Sequence, residues 1–258
     1  MKLILVFLIF LFLNANKLDS HELWLEAEEY LIKKNNKLIV NIKVGENLSG
    51  EKYPYLSHET EKLFIENNFQ IKNVEQINGD YPAIQQSLHS KGGVQYLYYQ
   101  SNKETIKYTD FKTFLKFIED YNLSYNYKDK IIPKEIYQRF SKIIFKYDGN
   151  KFYPSRNNLD FEIINLNDPY KYDESKIKII LDGKLFAKKS FIVFFKNSNG
   201  FKKKYYKTNI KGIAKIDTKK GGLYLISAVD LKTLNLIDRL KYNANFFSRW
   251  ASLTFKKY

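Results

Sequence analysis

The second half of this chain is a succession of short segments in which apolar and polar residues trade places, each soon stopped by a turn signal. Lys176-Ile177-Lys178-Ile179-Ile180-Leu181 ends at Asp182-Gly183, a dipeptide that closes tight hairpins. Ser190-Phe191-Ile192-Val193-Phe194-Phe195 runs into Asn197-Ser198-Asn199-Gly200, and similar runs occupy 205–208, 213–216, 223–228 and 250–255. Side chains alternate across a strand with a period of two, so such runs fit half-buried strands, and their spacing predicts a β-sandwich.

The first half carries the same signal less densely. Residues 38–44 alternate and are closed by Gly45, 62–65 and 94–99 form two more strand candidates, and Gly92-Gly93 makes a turn before the latter. Asp110 is suited to cap a helix carrying Phe111, Phe114, Leu115, Ile118 and Tyr121 on one face. Pro133 is suited to open a second short helix through Ile136, Tyr137 and Phe140, followed by a strand over 142–147 that stops at Asp148-Gly149-Asn150. The expected fold is mainly β: an N-terminal β-rich domain over 21–150 with one or two short helices, a linker over 151–158 containing Pro154, and a β-sandwich over 159–258.

Met1-Lys2, an apolar run over 3–13 and a polar stretch have the layout of a secretory signal peptide. The run is shorter than the roughly 20 apolar residues that span a bilayer. The reading is therefore a leader over 1–20 and a periplasmic or secreted mature chain without a transmembrane segment. Cleavage after Ser20 would make His21 the first residue, although it places Leu18 where a small residue is preferred; cleavage after Ala15 would leave a polar stub ahead of His21. There is no cysteine, so disulfides, thiolate metal sites and lipid attachment are excluded. The net charge is +15, yet Arg139, Arg156, Arg239 and Arg249 are the only arginines and the lysines are scattered. Nucleic-acid readers concentrate arginine forks in stripes, so that class of partner is not expected.

Three histidines, His21, His58 and His89, are the nitrogen donors available to a metal. A terminal His21 would offer its α-amine and its ring together. None of the three forms a metal-ligand spacing, and the plainer reading is that His58 and His89 are solvated loop residues. Glu22, Glu26, Glu28 and Glu29 follow His21 and would supply oxygen ligands, orient its imidazole, or simply charge a strand edge. Trp24 and Trp250 are expected to pack in the interior. Arg139 with Lys142 could bind an anion, or Arg139 could pair with a carboxylate. No nucleophile elbow, phosphate-cradling glycine loop or thiol is present, so no enzymatic activity is expected. Two functions compete: transition-metal binding or delivery, and an envelope adhesion or carbohydrate-binding module presenting aromatic side chains.

Several phrases together resemble the family called domain of unknown function 4198. They are His21-Glu22-Leu23-Trp24-Leu25-Glu26, Glu135-Ile136-Tyr137-Gln138-Arg139-Phe140-Ser141-Lys142 with its Tyr-x-Arg-x-x-Lys pattern, Phe161-Glu162-Ile163-Ile164 before Asn167-Asp168-Pro169-Tyr170, and Leu181-Asp182-Gly183-Lys184. Gly222-Leu223-Tyr224-Leu225-Ile226-Ser227-Ala228 and Ser248-Arg249-Trp250-Ala251-Ser252-Leu253 complete the set. The resemblance implies an immunoglobulin- or prealbumin-like C-terminal sandwich and a periplasmic role in nickel or cobalt uptake beside a transporter or outer-membrane receptor; residue types alone would equally admit copper or zinc. Relatives often carry a histidine after the strand that here ends at Ala228, where this chain has Val229-Asp230. The implied metal set is His21 with His58, His89 or Asp230.

Overall fold

The computed structural model describes residues 22–88, 92–125 and 132–258. The leader, its cleavage site, His21 and His89 lie outside the described residues. The strands run β1 (Glu22–Ala27), β2 (Leu31–Ile32), β3 (Lys37–Glu46), β4 (Ser49–Tyr53), β5 (Thr60–Asn67), β6 (Gln70–Asn73), β7 (Ile84–Ser87), β8 (Gly93–Ser101) and β9 (Glu104–Lys107). Helix α1 (Phe111–Asp120) follows, then β10 (Lys134–Tyr147), β11 (Phe161–Asn165), β12 (Glu174–Leu181), β13 (Lys184–Leu185), β14 (Ser190–Asn197), β15 (Gly200–Lys207), β16 (Ile213–Asp217), β17 (Gly222–Thr233), helix α2 (Leu236–Tyr242) and β18 (Phe246–Lys257).

They form three layers. A ten-stranded sheet has the order β15-β14-β17-β18-β10-β8-β5-β6, with β2 and β9 also paired to β10. One four-stranded sheet holds β1-β3-β4 with β7 on β3, and another holds β11-β12-β13 with β16 on β12. The large sheet is the middle layer because both of its faces are apolar. Phe140, Ile144, Tyr96, Tyr98, Ile226, Leu253 and Phe255 face the β11–β12–β16 sheet, where Phe161, Ile163, Ile177 and Ile179 meet them. Their sequence neighbours Ile143, Phe145, Leu97 and Tyr99 turn to the other side and meet Leu25, Leu38, Val40 and Ile42. The period of two that predicted strands thus also sorts the two cores. The chain is mainly β and sandwich-like, as expected.

The middle sheet takes strands from both halves of the chain. β10 and β18 lie parallel, with Glu135 opposite Phe246 and Ile143 opposite Thr254. Residues 151–158 connect β10 to β11 without a regular element, and Ser155 within them is buried. β1 is fastened to the middle sheet by small hydroxyls: Leu25 N donates to Ser141 Oγ (3.0 Å), and Thr254 Oγ1 donates to Leu25 O (2.5 Å).

Helix α1 begins as predicted, with the Asp110 carboxylate accepting from Thr113 N at 2.7 Å. Its Phe114 and Phe117 pack on Phe246 and Trp250, while Trp24 lies fully buried against Ile192, Phe194 and Leu225. The helix expected from Pro133 is instead the first half of β10. Ile136, Tyr137 and Phe140 match a helical spacing, but the β-rich run continues to Tyr147, and pairing with β9, β18 and β8 outweighs the local pattern. The Asp182-Gly183 hairpin is present, both residues at positive φ (50° and 72°).

The Gly92-Gly93 pair is required by close approach. A Cβ on Gly92 would lie 1.4 Å from the backbone oxygen of Asp148. Gly92→Ala is therefore expected to destabilise the fold by about 1–3 kcal/mol or more, as overpacking against rigid backbone does. An unchanged midpoint in urea unfolding would show that this approach is not tight.

Candidate functional site

β1 sends successive side chains to opposite faces, and two clefts follow from that alternation. Glu22 and Trp24 point to one side, Leu23 and Leu25 to the other. Beside Glu22 is a cleft of about 320 Å³ lined by Glu46 at the end of β3 and Asn47 after it, Lys116 and Asp120 of α1 with Tyr121 after it, and Lys203 of β15. Register explains the first pair, since Glu22 lies opposite Gly45 and so brings the end of β3 alongside. Glu22 is buried and hydrogen-bonded to Tyr121. Burial pushes its carboxyl from 4.5 up to about 7, with Glu46 adding to the rise, while Tyr121 and Lys203 oppose it. The Tyr121 hydroxyl is raised well above 10 by burial, then by the charge of Glu22. The cleft thus gathers three carboxyls directly after residue 21.

On the Leu23 side lies a cleft of about 550 Å³. Arg139 of β10 reaches it with its guanidinium carbon 4.5 Å above the Tyr137 ring, and Glu51, Glu59, Glu104 and Tyr99 share the walls. Tyr137 donates to Glu104 Oε2 at 3.5 Å. Burial, then the charge of Glu104, raises the Glu59 carboxyl, whereas Arg139 and His58 act against the rise. Arg139 and Lys142 do not make one anion site. They stand three residues apart on a strand and so face opposite layers; Lys142 is buried with Glu162 at 2.6 Å.

His58 sits in a 3-10 turn over Ser57–Glu59, with its ring 3.7 Å from Glu59 and its side chain 72% exposed. Asp230 lies opposite Arg249 in the β17–β18 pairing, and its Oδ2 accepts from Arg249 Nη2 at 2.8 Å; Arg249 Nη1 donates to Asp182 at 2.6 Å. Among the described residues, no group of three or more histidines and carboxylates is placed to hold a metal ion, and neither His58 nor Asp230 joins one. Glu26 accepts from Lys43 Nζ and Trp24 Nε1, both at 3.0 Å, and Glu28 and Glu29 are exposed. Glu46, Asp120, Tyr121 and Lys203 were missed in sequence because they come from three segments far apart in the chain. The signal available was that Glu22 shares a strand face with Trp24, which marks an acid entering an interior.

A third cleft, of about 590 Å³, lies where β6 and β7 end their respective sheets. It is lined by the amides of Gln70, Gln86, Gln95 and Asn67 above Ile65, Val74 and Leu88. Among the described residues, no helix is long and apolar enough to cross a membrane.

Comparison with known proteins follows this geometry. No curated protein matches the chain. A family model described as domain of unknown function (DUF4198) matches residues 18–230, a span that runs from before β1 to the Asp230–Arg249 pair. The chain belongs to the DUF4198 family.

Proposed function

We propose that this protein is an exported, non-enzymatic binder of a transition metal, held at the N-terminus of its mature form. The supporting observation is the cleft beside Glu22, whose walls also carry Glu46, Asp120 and Tyr121; these carboxyls do not by themselves make a metal-holding group, so a donor from residue 21 is required. Burial, with the charge of Glu46 adding to it, makes the Glu22 carboxyl costly to ionise, and a divalent cation held beside it would relieve that cost. Carboxylates alone favour harder ions, so a nitrogen donor is needed for nickel, cobalt, copper or zinc. His21 is bonded directly to Glu22, and its ring and amine would supply nitrogen within one residue of the cleft. Nickel or cobalt is the favoured cargo through the resemblance to uptake-associated relatives, with a transporter or receptor of the envelope as the receiving partner. His58, His89 and Asp230 are secondary candidates. Asp230 would have to exchange Arg249 for the metal.

Isothermal titration with nickel or cobalt chloride, combined with N-terminal sequencing of the secreted form, tests this. The expected result is binding that weakens at least tenfold in His21→Ala and several-fold in Glu22→Gln, and that fades as pH falls through about 6.5, where imidazole protonates. Equal affinity in wild type and His21→Ala would refute the reading. The competing role as a carbohydrate-binding module has one favourable observation, the amide-lined cleft between β6 and β7. Sugar binding lost on Gln86→Ala, without any metal effect, would support it.

A further inference from the structure

Helix α2 is an insertion at the end of the longest hairpin of the middle sheet, between β17, whose Thr233 lies opposite Phe246, and β18. It is fixed at both ends: the Asn235 side chain accepts from Asp238 N at 2.9 Å, and Asn243 closes it in the left-handed conformation at φ 50°. Arg239 Nε donates to Leu234 O at 2.9 Å. This short, pinned helix nevertheless has no buried residue. Leu236, Ile237 and Leu240 are 72%, 77% and 77% exposed.

Their arrangement is not random. At about 100° per residue these three side chains fall within an arc of about 100°. Arg239 lies about 60° beyond one edge of that arc and Lys241 about 40° beyond the other. Asp238 and Tyr242 take the opposite side, where they line a small cleft with Leu234, Ile136 and Phe247 of the body. The helix therefore rests on the protein by its acidic and aromatic side. It holds out an apolar ridge bordered by cations, with exposed Lys232 close by.

An apolar ridge between two cations, on a chain of net charge +15, has the chemistry of a helix lying in the headgroup region of an anionic bilayer. Burial of the ridge among acyl chains and attraction to lipid phosphates act in the same direction, and neither needs a spanning segment. We infer that α2 is a membrane-surface contact, through which this protein rests on an anionic lipid bilayer with Leu236, Ile237 and Leu240 inserted.

The absence of cysteine makes a direct test clean, because a single engineered thiol can carry an environment-sensitive nitrobenzoxadiazole probe on the full chain. Leu240→Cys places it on the ridge. Ser198→Cys places it on the exposed turn after β14, which adjoins the opposite end of β17. With vesicles of equal phosphatidylglycerol and phosphatidylcholine, the probe at 240 should brighten and shift to the blue while the probe at 198 does not, so any contribution of residues 1–20 to vesicle binding is separated. The effect should shrink in phosphatidylcholine alone and at raised salt. With the probe at Ile237→Cys, adding Leu236→Ser and Leu240→Ser should weaken vesicle binding at least tenfold, and adding Arg239→Gln and Lys241→Gln several-fold on anionic vesicles only. Leu236, Ile237, Leu240 and Lys241 are exposed, whereas Arg239 is half-buried and donates to Leu234 O, so each variant is read only with an unchanged urea midpoint and Lys241→Gln alone must act in the same direction. A probe at 240 that does not respond to vesicles overturns the inference. So does a response that appears with protein concentration alone, which would mark the ridge as a contact between copies of the chain.

Discussion

Replacing Lys142 by methionine should destabilise the protein by about 3–5 kcal/mol, because it strands a buried carboxylate. Lys142 and Glu162 are both about 1% exposed and their charged atoms are 2.6 Å apart. The lysine also donates to Ser155 Oγ at 2.9 Å and lies 5.2 Å from the Tyr98 ring centre. Glu162 further accepts from the backbone of Asn158 and Leu159 at 2.6 and 3.0 Å. Burial pushes the lysine down and the carboxyl up, each opposed by its partner's charge. Each group is thus tolerated only because the other is present. This single pair links β10, the segment 151–158 and β11 across the layer boundary. The companion Glu162→Gln keeps an acceptor for both backbone donors, so Lys142→Met/Glu162→Gln should recover most of the loss. Urea unfolding of the two single variants and the double variant measures the coupling. Additive losses would mean the pair is not an energetic unit.

Stability should also fall as pH rises from 5 to 8, through two other buried acids. Glu135 is fully buried on β10, where Tyr108 Oη donates to it at 2.6 Å and Ser248 Oγ also donates; Glu22 lies at the start of β1. Burial raises each carboxyl from 4.5 to about 7. Below 4.5 both the folded and unfolded chains hold the proton, and the folded state keeps its full advantage. Between 4.5 and about 7 the unfolded chain releases a proton that the folded chain retains, so folding binds more protons and stability declines with pH. The displacement corresponds to about 3 kcal/mol for each acid. Glutamine imitates the protonated carboxyl. Glu135→Gln should therefore gain on the wild type by about that amount between pH 5 and pH 8, and Glu22→Gln similarly. A difference between wild type and Glu135→Gln that stays constant over this range would contradict the assignment.

Much of the architecture was legible because strands announce themselves locally. The alternation at 176–181, 190–195, 223–228 and 250–255 reappears as β12, β14, β17 and β18, and Asp110 caps α1 as its side chain requires. Failure came where one local pattern served two structures. Ile136, Tyr137 and Phe140 satisfy a helical spacing, yet Ile136 and Phe140 also share one strand face while Tyr137 and Arg139 take the other, and only neighbouring strands decide. Helix α2 escaped for the opposite reason: its apolar residues face outward, so no inward stripe marks it. The candidate site was the least legible part. Glu22 could be suspected, but Glu46, Asp120 and Lys203 reach it from β3, α1 and β15, whose convergence is a property of packing.

The amino-acid order alone determined that this chain would be β-rich, without cysteine chemistry, and built from strands with one face for each layer, since side-chain period and turn chemistry act between near neighbours. Tertiary structure decided which strands meet. It set β10 parallel to β18 from the far end of the chain, buried Lys142 against Glu162, and brought Glu46 and Asp120 to the cleft beside Glu22. Those outcomes depend on contacts between residues tens to hundreds of positions apart, and no local pattern encodes such a pairing.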